Sequence, residues 1–583
     1  MRDLKTLIPY MAKHWPRLLG GGIMNIVATI FALALPFLIG NAIDKITDSA
    51  PQSEVTWIAV IIVVLALLGG ITDFFARYLI NAVSRDVEYA LRNDFFAHLQ
   101  TMHQGFFQNR HTGDIMALAT NDMSAVRNAI GPGISNGVRT VLMFTLASAL
   151  MISINAALAL VLITFIPIVA ITFWLTGKRM HNRFEAVQSQ FGKLSTYAQE
   201  NFAGIRVVKA YAQENYEIEH FAKESQIYQT RSIRYQTLNQ LLWPLMGLVL
   251  GVAAVAILFV GGNEVINKNI TIGQFVQFNS YLFMLSWPMI ALGWVVSLYQ
   301  QGTASMGRIR EMMGQNTRIA DTPETVSMDE IQGDIEFDKV SLSYEGNSSR
   351  KVLDEVSFHA PAGTSLAIVG ATGAGKTSII NLITRVYEAQ KGRVLVDGVD
   401  VRRIPLAVLR RNIGLVPQDT FLFSSSLDEN VAFGVDEDEI DPVLVGRAVE
   451  TARLSNDLDQ FPEGIQTIIG ERGVTLSGGQ KQRTALARAI MRDPAILILD
   501  DSLSSIDTQT QAQILAGLRT VLAGRTSIII SQRISTVKDA NQIIVLDDGQ
   551  IIERGTHSEL VALRGVYASM YRRELLSTEL GIE

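Results

Sequence analysis

The sequence predicts a two-part membrane protein: an all-α half of six long membrane-spanning helices over residues 16–305, then an α/β half over residues 333–583. Three observations carry this. Six stretches of about 20 apolar residues, each long enough to cross a bilayer, precede residue 303. After Gln301 short β-branched runs alternate with helical ones, the pattern of a sheet covered by helices. A glycine-rich strand–loop–helix motif occupies residues 370–377.

Bulk composition agrees and excludes other classes. Hydrophobic residues make up 48% of the 583-residue chain and the mean hydropathy is +0.23, high for a soluble protein. The net charge is −6, so the basic footprint of a nucleic-acid-binding protein is missing. Cysteine is absent, which excludes disulfides, thiol catalysis and cysteine-ligated zinc.

The elements follow in chain order. Residues 1–15, "MRDLKTLIPYMAKHW", read as a cytosolic amphipathic lead-in, with no cleavage site behind a short apolar core. The six spans are Leu18–Gly40, Trp57–Ile80, Val138–Ile154, Ala156–Thr176, Leu241–Gly261 and Phe275–Leu298. The third and fourth are almost fused through "ISINAALAL". The segments Ser84–Asn136 and Lys178–Asn239 are long and rich in Arg and Lys, whereas the linkers after spans one and five are short and carry one lysine each. Basic residues stay on the cytoplasmic side, so both long segments, and the termini, are assigned to the cytoplasm of a cytoplasmic-membrane protein. Both are periodic and poor in proline, and read as helices continuing into the cytosol, turning at Gln108–Asp114 and Asn201–Tyr211.

Residues 306–332 read as a polar linker. An alternating strand pattern follows at Ile335–Leu342. Beyond it "TSLAIVG", "GRVLVDG", "NIGLVP", "AILILD", "TSIIIS" and "QIIVLD" read as strands of a buried parallel sheet.

The chemistry sits on that sheet. "VGATGAGKTSII" fits G-x-x-x-x-G-K-[ST] at Gly370, Gly375, Lys376 and Thr377, after a strand and before a helix. Such a loop turns consecutive backbone N–H groups onto phosphate oxygens at a helix N-terminus. Lys376 is placed to reach the β- and γ-phosphates, and Thr377 to ligate Mg²⁺. Asp500 ends the run "ILILD" and supplies a carboxylate for the same metal. "LSGGQKQRTALARAIM" starts a second helix with Ser477 and two glycines. One nucleotide cannot be cradled on both sides by a single domain of this length, so this helix is assigned to a nucleotide held by a second domain copy facing head to tail.

With these motifs in hand, the chain resembles an ATP-binding cassette (ABC) exporter half-transporter of the multidrug-resistance type, over nearly its whole length. The resemblance implies a type IV exporter fold with helical and β-subdomains in the nucleotide-binding domain, and ATP and Mg²⁺ as ligands. Tyr344 matches the aromatic that stacks on adenine. Gly370, Thr372, Gly373, Ala374, Gly375, Lys376, Thr377 and Ser378 match the Walker A loop. Gln418 matches the Q-loop glutamine that touches Mg²⁺ and the attacking water. "GERG" at Gly470–Gly473 matches the exporter loop near the coupling helices. Leu476, Ser477, Gly478, Gly479 and Gln480 match the signature motif. Asp500 is the Walker B aspartate, and Ser504 to Asp507 the D-loop. Residues 1–15 look like the elbow helix, and the stretches near 108–118 and 201–212 like the two coupling helices.

Two positions depart from the pattern. The residue after the Walker B aspartate is usually glutamate, which polarises the attacking water; here it is Asp501, one methylene short. The switch position is usually histidine; here it is Gln532, a neutral amide. Both serve the nucleotide held by this chain, while the signature motif is intact. The sequence thus resembles the degenerate member of a heterodimeric exporter pair, whose partner carries the missing glutamate and histidine. A homodimeric lipid flippase or peptide exporter, and an ATP-gated channel-like protein, are the competing readings. The last two spans hold Trp243, Met246, Gln277, Asn279, Tyr281, Phe283, Met284, Trp287, Met289 and Trp294, a set suited to hydrophobic or amphipathic substrates.

Overall fold

The computed structural model describes residues 3–579 apart from 345–350, 471–472, 474–475, 504–505 and 507. The chain divides into two compact units: Met1–Phe96 with Met116–Gly314, and Ala97–Ile115 with Gln315–Glu583.

The first unit is all helix. Its long elements are α1 (Trp15–Thr47), α2 (Gln52–Gln100), α3 (Thr112–Ile154, with two π-helical turns), α4 (Ala156–Ala203), α5 (Glu214–Ile266) and α6 (Ile272–Met313). Each predicted apolar stretch lies within one of them. Among the described residues four helical stretches are long and apolar enough to cross a membrane: Trp15–Thr47, Gln52–Gln100, Thr112–Ile154 and Gly247–Ile266.

Local chemistry sets the helix ends. The turn between α3 and α4 is the single extended residue Asn155, whose side chain accepts hydrogen bonds from Ala157 N (2.9 Å) and Leu158 N (3.0 Å). It caps the new helix as the old one stops. Thr271 caps α6 in a reciprocal box with Gln274. Asp44 at the end of α1 accepts from Thr271 Oγ1 (2.6 Å) and Gly273 N (2.7 Å). A Cβ on Gly273 would lie 2.0 Å from Gly40 O, so only glycine permits this approach of α1 and α6.

The lead-in contains the helix Ile8–Ala12, pinned to α2 by Tyr10–Asp94 (2.6 Å), and Arg17 at the start of α1 donates to Asp86, also on α2 (2.9 Å). Arg77 pairs with Asp73 one turn away at 3.0 Å, and Arg139 from α3 reaches the same carboxylate. Tyr281 is fully buried and donates to Leu33 O at 2.9 Å. It holds α6 to α1 and does not line an open surface, whereas Trp287 and Trp294 are exposed.

Two boundaries differ from expectation. The helix α6 runs to Met313, seven residues past the predicted start of the linker at 306, because "SMGRIREMM" keeps helical periodicity and Arg310 pairs with Asp3 at 2.7 Å. At the first tip the short helix is Gln104–Gln108, ahead of the expected 108–118; His103 is extended and starts it, and from Thr112 the chain is already in α3. The second tip matches: within the expected 201–212, Gly204 breaks the helix and Ile205–Ala210 forms the short one.

The second unit carries two sheets. A four-stranded antiparallel sheet, ordered β2-β1-β4-β5, is built from β1 (Ile335–Leu342), β2 (Leu353–Ala360), β4 (Lys391–Val396) and β5 (Val399–Asp400). A six-stranded sheet, ordered β10-β9-β3-β8-β7-β6, uses β3 (Ser365–Gly370), β6 (Ile413–Val416), β7 (Ile496–Asp500), β8 (Thr526–Ile530), β9 (Gln542–Asp547) and β10 (Gln550–Gly555). All but β10 run parallel. The central strands are buried on both faces: Val369, Leu497 and Leu499 face one core, and Ile368, Ile496 and Ile498 the other. "GRVLVDG" is not part of this sheet. Its strand β4 is exposed over its first half and pairs antiparallel with β1. The tip segment belongs to this unit as well, with Tyr387 Oη donating to Gln108 Oε1 at 2.5 Å.

Candidate nucleotide site

The site begins where β3 runs into its loop and the helix α7 (Lys376–Ile383). Two glycines make the turn possible. Gly370 has φ +154° and a Cβ there would lie 2.1 Å from Leu546 O; Gly375 has φ +103° and its Cβ would lie 2.7 Å from Val352 O. Any other residue would collide with backbone at both positions.

The loop borders a cleft of ≈ 200 Å³. Thr372, Gly373, Gly375, Lys376, Thr377 and Ser378 of the loop and helix line it together with Gln418, Asp500, Asp501 and Gln532. Lys376 Nζ folds onto the loop and donates to Gly370 O and Ala371 O, both at 2.8 Å. Burial holds its pKa below the ordinary lysine value, against the opposing pull of Asp500 and Asp501. Thr377 Oγ1 donates to Asp500 Oδ2 at 2.9 Å. Asp500 is 4% exposed, and burial pushes its carboxyl up, with neighbouring Asp501 adding to the shift and the Thr377 hydrogen bond opposing it. A cation here would relieve that cost.

The Thr377 hydroxyl, the Asp500 carboxylate and the Gln418 amide, all lining this cleft, are oxygen donors of the kind Mg²⁺ takes alongside phosphate oxygens. Among the described residues no three His, Cys, Asp or Glu side chains gather into a metal cage. The residues therefore fit Mg²⁺ bound together with a phosphate ligand, and do not form a stand-alone metal site.

Asp501 follows the strand in the left-handed region, φ +45°, and its N–H donates to Ile530 O at 2.9 Å. Aspartate tolerates this conformation better than longer side chains, through local hydrogen bonding.

Other expected residues lie elsewhere. Ala374 is buried beneath the loop. Tyr344 is not in the cleft lining: its hydroxyl shares a 2.9 Å hydrogen bond with Ser378 Oγ, and its ring meets Tyr387 edge-on at 4.9 Å between centroids. The signature residues do not line the cleft either. Ser477 caps the helix α8 (Gly478–Met491), accepting from Gln480 N (3.3 Å) while Gln480 Oε1 accepts from Ser477 N (2.9 Å); Leu476 is buried. Ser504 and Asp507, like Glu471 and Arg472 of the exporter loop, lie outside the described residues. Sequence reasoning missed Val352 and Ile530 on the cleft wall. Val352 lies just ahead of β2 with no motif around it, and Ile530 ends β8 two residues before the switch position Gln532.

Comparison with known proteins follows this geometry. A family model of the ABC transporter transmembrane region matches residues 18–289, and a model of the ABC transporter matches residues 353–504. The chain is 36% identical over 578 residues to YheI of Bacillus subtilis (strain 168), named as a probable multidrug resistance ABC transporter ATP-binding/permease protein, covering 99% of this chain and 98% of that one. It is 31% identical over 589 residues to an ATP-dependent lipid A-core flippase of Syntrophus aciditrophicus (strain SB), covering 100% and 96%. A solved structure of a bacterial Atm1-family ABC exporter with ATP bound superimposes with a TM-score of 0.79 at 28% identity, covering 96% of this chain and 98% of that one.

Proposed function

The chain belongs to the ABC transporter family, as an exporter half-transporter whose transmembrane region is fused to an ATP-binding domain, and we propose that it forms one half of a heterodimer exporting hydrophobic or amphipathic molecules across the cytoplasmic membrane. One observation carries this reading. Asp501 and Gln532, the two departures from the family pattern, line the same cleft as Lys376, Thr377 and Asp500. Both changes bear on one nucleotide, and the parts that bind it are intact.

On this reading Lys376 leaves the loop carbonyls and meets the β- and γ-phosphates of ATP. Mg²⁺, when bound, neutralises phosphate charge, and Thr377, Asp500 and Gln418 hold it. Asp501 carries the charge that would orient water, but ends one carbon–carbon bond, about 1.5 Å, short of a glutamate. Misplacement on the order of 1 Å can cost on the order of 10²-fold in rate. Gln532 can donate a hydrogen bond to the γ-phosphate but cannot become a cation. ATP held by this chain is therefore retained and turned over slowly. Leu476–Gln480 completes the partner's site, where most hydrolysis occurs. ATP binding closes the two cassettes and turns the membrane cavity outward; hydrolysis at the partner's site resets it.

The test is ATPase activity of the purified chain alone, compared with the chain co-expressed with a partner bearing glutamate and histidine at the two positions. Activity should emerge only with the partner. The second reading, a homodimeric lipid flippase, draws on the flippase relative at 31% identity as the first draws on the multidrug-type relative at 36%, and neither relative favours one over the other. Robust turnover by the chain alone would overturn the heterodimer, and ATP-dependent lipid translocation by that homodimer would support the flippase.

A further inference from the structure

Gln532 ends on a segment held from two sides by residues outside every motif. The helix α9 (Thr508–Leu522) supplies Gln511, which accepts from Arg533 Nη1 at 3.1 Å and donates to Thr536 Oγ1 at 2.9 Å. The second hold comes from much further along the chain. The four-residue helix α10 (Ile534–Val537) begins two residues after Gln532, and its N-cap residue, Arg533, makes no side-chain cap. Its first N–H groups are instead taken by Glu574. The Glu574 carboxylate accepts from Ile534 N at 2.5 Å and from Ser535 N at 3.1 Å.

Glu574 lies on the C-terminal helix α11 (Val566–Glu579), which is itself fixed to the sheet. Glu553 on β10 accepts from Val566 N (2.5 Å) and Tyr567 N (3.0 Å), and buried Tyr567 bonds His557 Nδ1 through its hydroxyl at 2.7 Å. A two-oxygen, charged acceptor on two orphan N–H groups is the strong form of a helix cap. It fixes the backbone two residues from an amide whose usefulness depends on its aim.

We infer that Glu574 is a positioning residue for Gln532, and that the C-terminal helix thereby sets how well this chain's site senses the γ-phosphate. The inference rests on the reading that Gln532 faces the nucleotide.

The full-length protein, in the assembly it forms, is placed in nanodiscs with Mg²⁺ and photolabelled with 8-azido-ATP or 8-azido-ADP. Label on this chain is read after denaturing electrophoresis. Glu574→Ala should raise the half-labelling concentration of 8-azido-ATP by roughly five-fold, the scale of a lost helix cap, and leave that of 8-azido-ADP unchanged. Glu574→Gln, which keeps the volume and one acceptor oxygen, should shift 8-azido-ATP less; it carries the test if the alanine variant loses both labels through unfolding. In a Gln532→Ala background the Glu574 change should add nothing. Equal shifts for both nucleotides, no shift in either Glu574 variant, or full additivity with Gln532→Ala would overturn the inference. If Gln532→Ala alone leaves 8-azido-ATP labelling unchanged, the assignment of Gln532 to the nucleotide fails first, and the inference with it.

Discussion

Thr377 Oγ1 donates a 2.9 Å hydrogen bond to Asp500 Oδ2, tying the helix after the glycine loop to the end of β7 across 123 residues of sequence. Asp500, hydrogen-bonded by that hydroxyl, is buried, and burial raises its pKa. A raised acid pKa means that folding favours the protonated form. The associated stability is full below the ordinary carboxylate range and is lost as pH rises through the raised value. Ionised Asp500 thus weakens the nucleotide-free fold at neutral pH. Asp500→Asn should raise the nucleotide-free Tm at pH 7 and 8, with the gap closing toward the ordinary carboxylate range, while Mg²⁺ no longer strengthens ATP binding. A lower Tm for the variant at pH 8 would contradict this.

Lys376→Ala should weaken ATP binding by this chain by at least roughly ten-fold, the scale of losing a charge-assisted contact in a desolvated site. Ser477→Ala should leave that binding unchanged and lower the ATPase rate of the assembly with its partner. Site-resolved photolabelling and steady-state ATPase separate the two effects.

Asp501→Glu restores reach but puts a longer side chain at φ +45°, where non-glycine residues are strained by about 1–2 kcal/mol. ATPase of the chain alone should rise by about ten-fold, short of the on the order of 10²-fold expected from reach alone. Adding Gln532→His should raise it further. No rise in either variant would assign the slow site to another cause.

Asn155→Ala removes the side chain that caps α4 at Ala157 N and Leu158 N. Without it the one-residue turn leaves two N–H groups unsatisfied, a loss of about 1 kcal/mol. The measurement is thermal unfolding in detergent. Asn155→Asp keeps the acceptor but sets a second carboxylate against Glu264, to which Asn155 Nδ2 donates at 3.0 Å, so it should rescue little of the stability at neutral pH.

Legibility from sequence tracks how local the cause is. The strand Ile335–Leu342 and the loop at Gly370–Thr377 were readable because alternation and glycine spacing are properties of adjacent residues. The single-residue turn at Asn155 was readable because two apolar runs abut there. "GRVLVDG" belongs to the other sheet: its three apolar residues look alike in either sheet, and only pairing with β1 decides. The linker start was misplaced because polar residues at the end of α6 resemble a loop until Arg310 is seen against Asp3. Tyr281 was read as surface-forming, yet its hydroxyl finds Leu33 O 248 residues away. Glu574 carried no signal, since an acid on a terminal amphipathic helix is ordinary until its backbone partners are known.

The register of β7 against β8 has one more consequence. Asp500 stands opposite Ile530 in the parallel ladder, so Asp501 and Gln532 emerge from adjoining strand ends although 31 positions separate them in the sequence. They are neighbours by geometry, and a change at one alters the setting in which the other is selected. Impaired cassettes would then be recognised better by reading this pair of strand ends together than by scoring each motif alone, and repairing either position singly should leave most of the deficit in place.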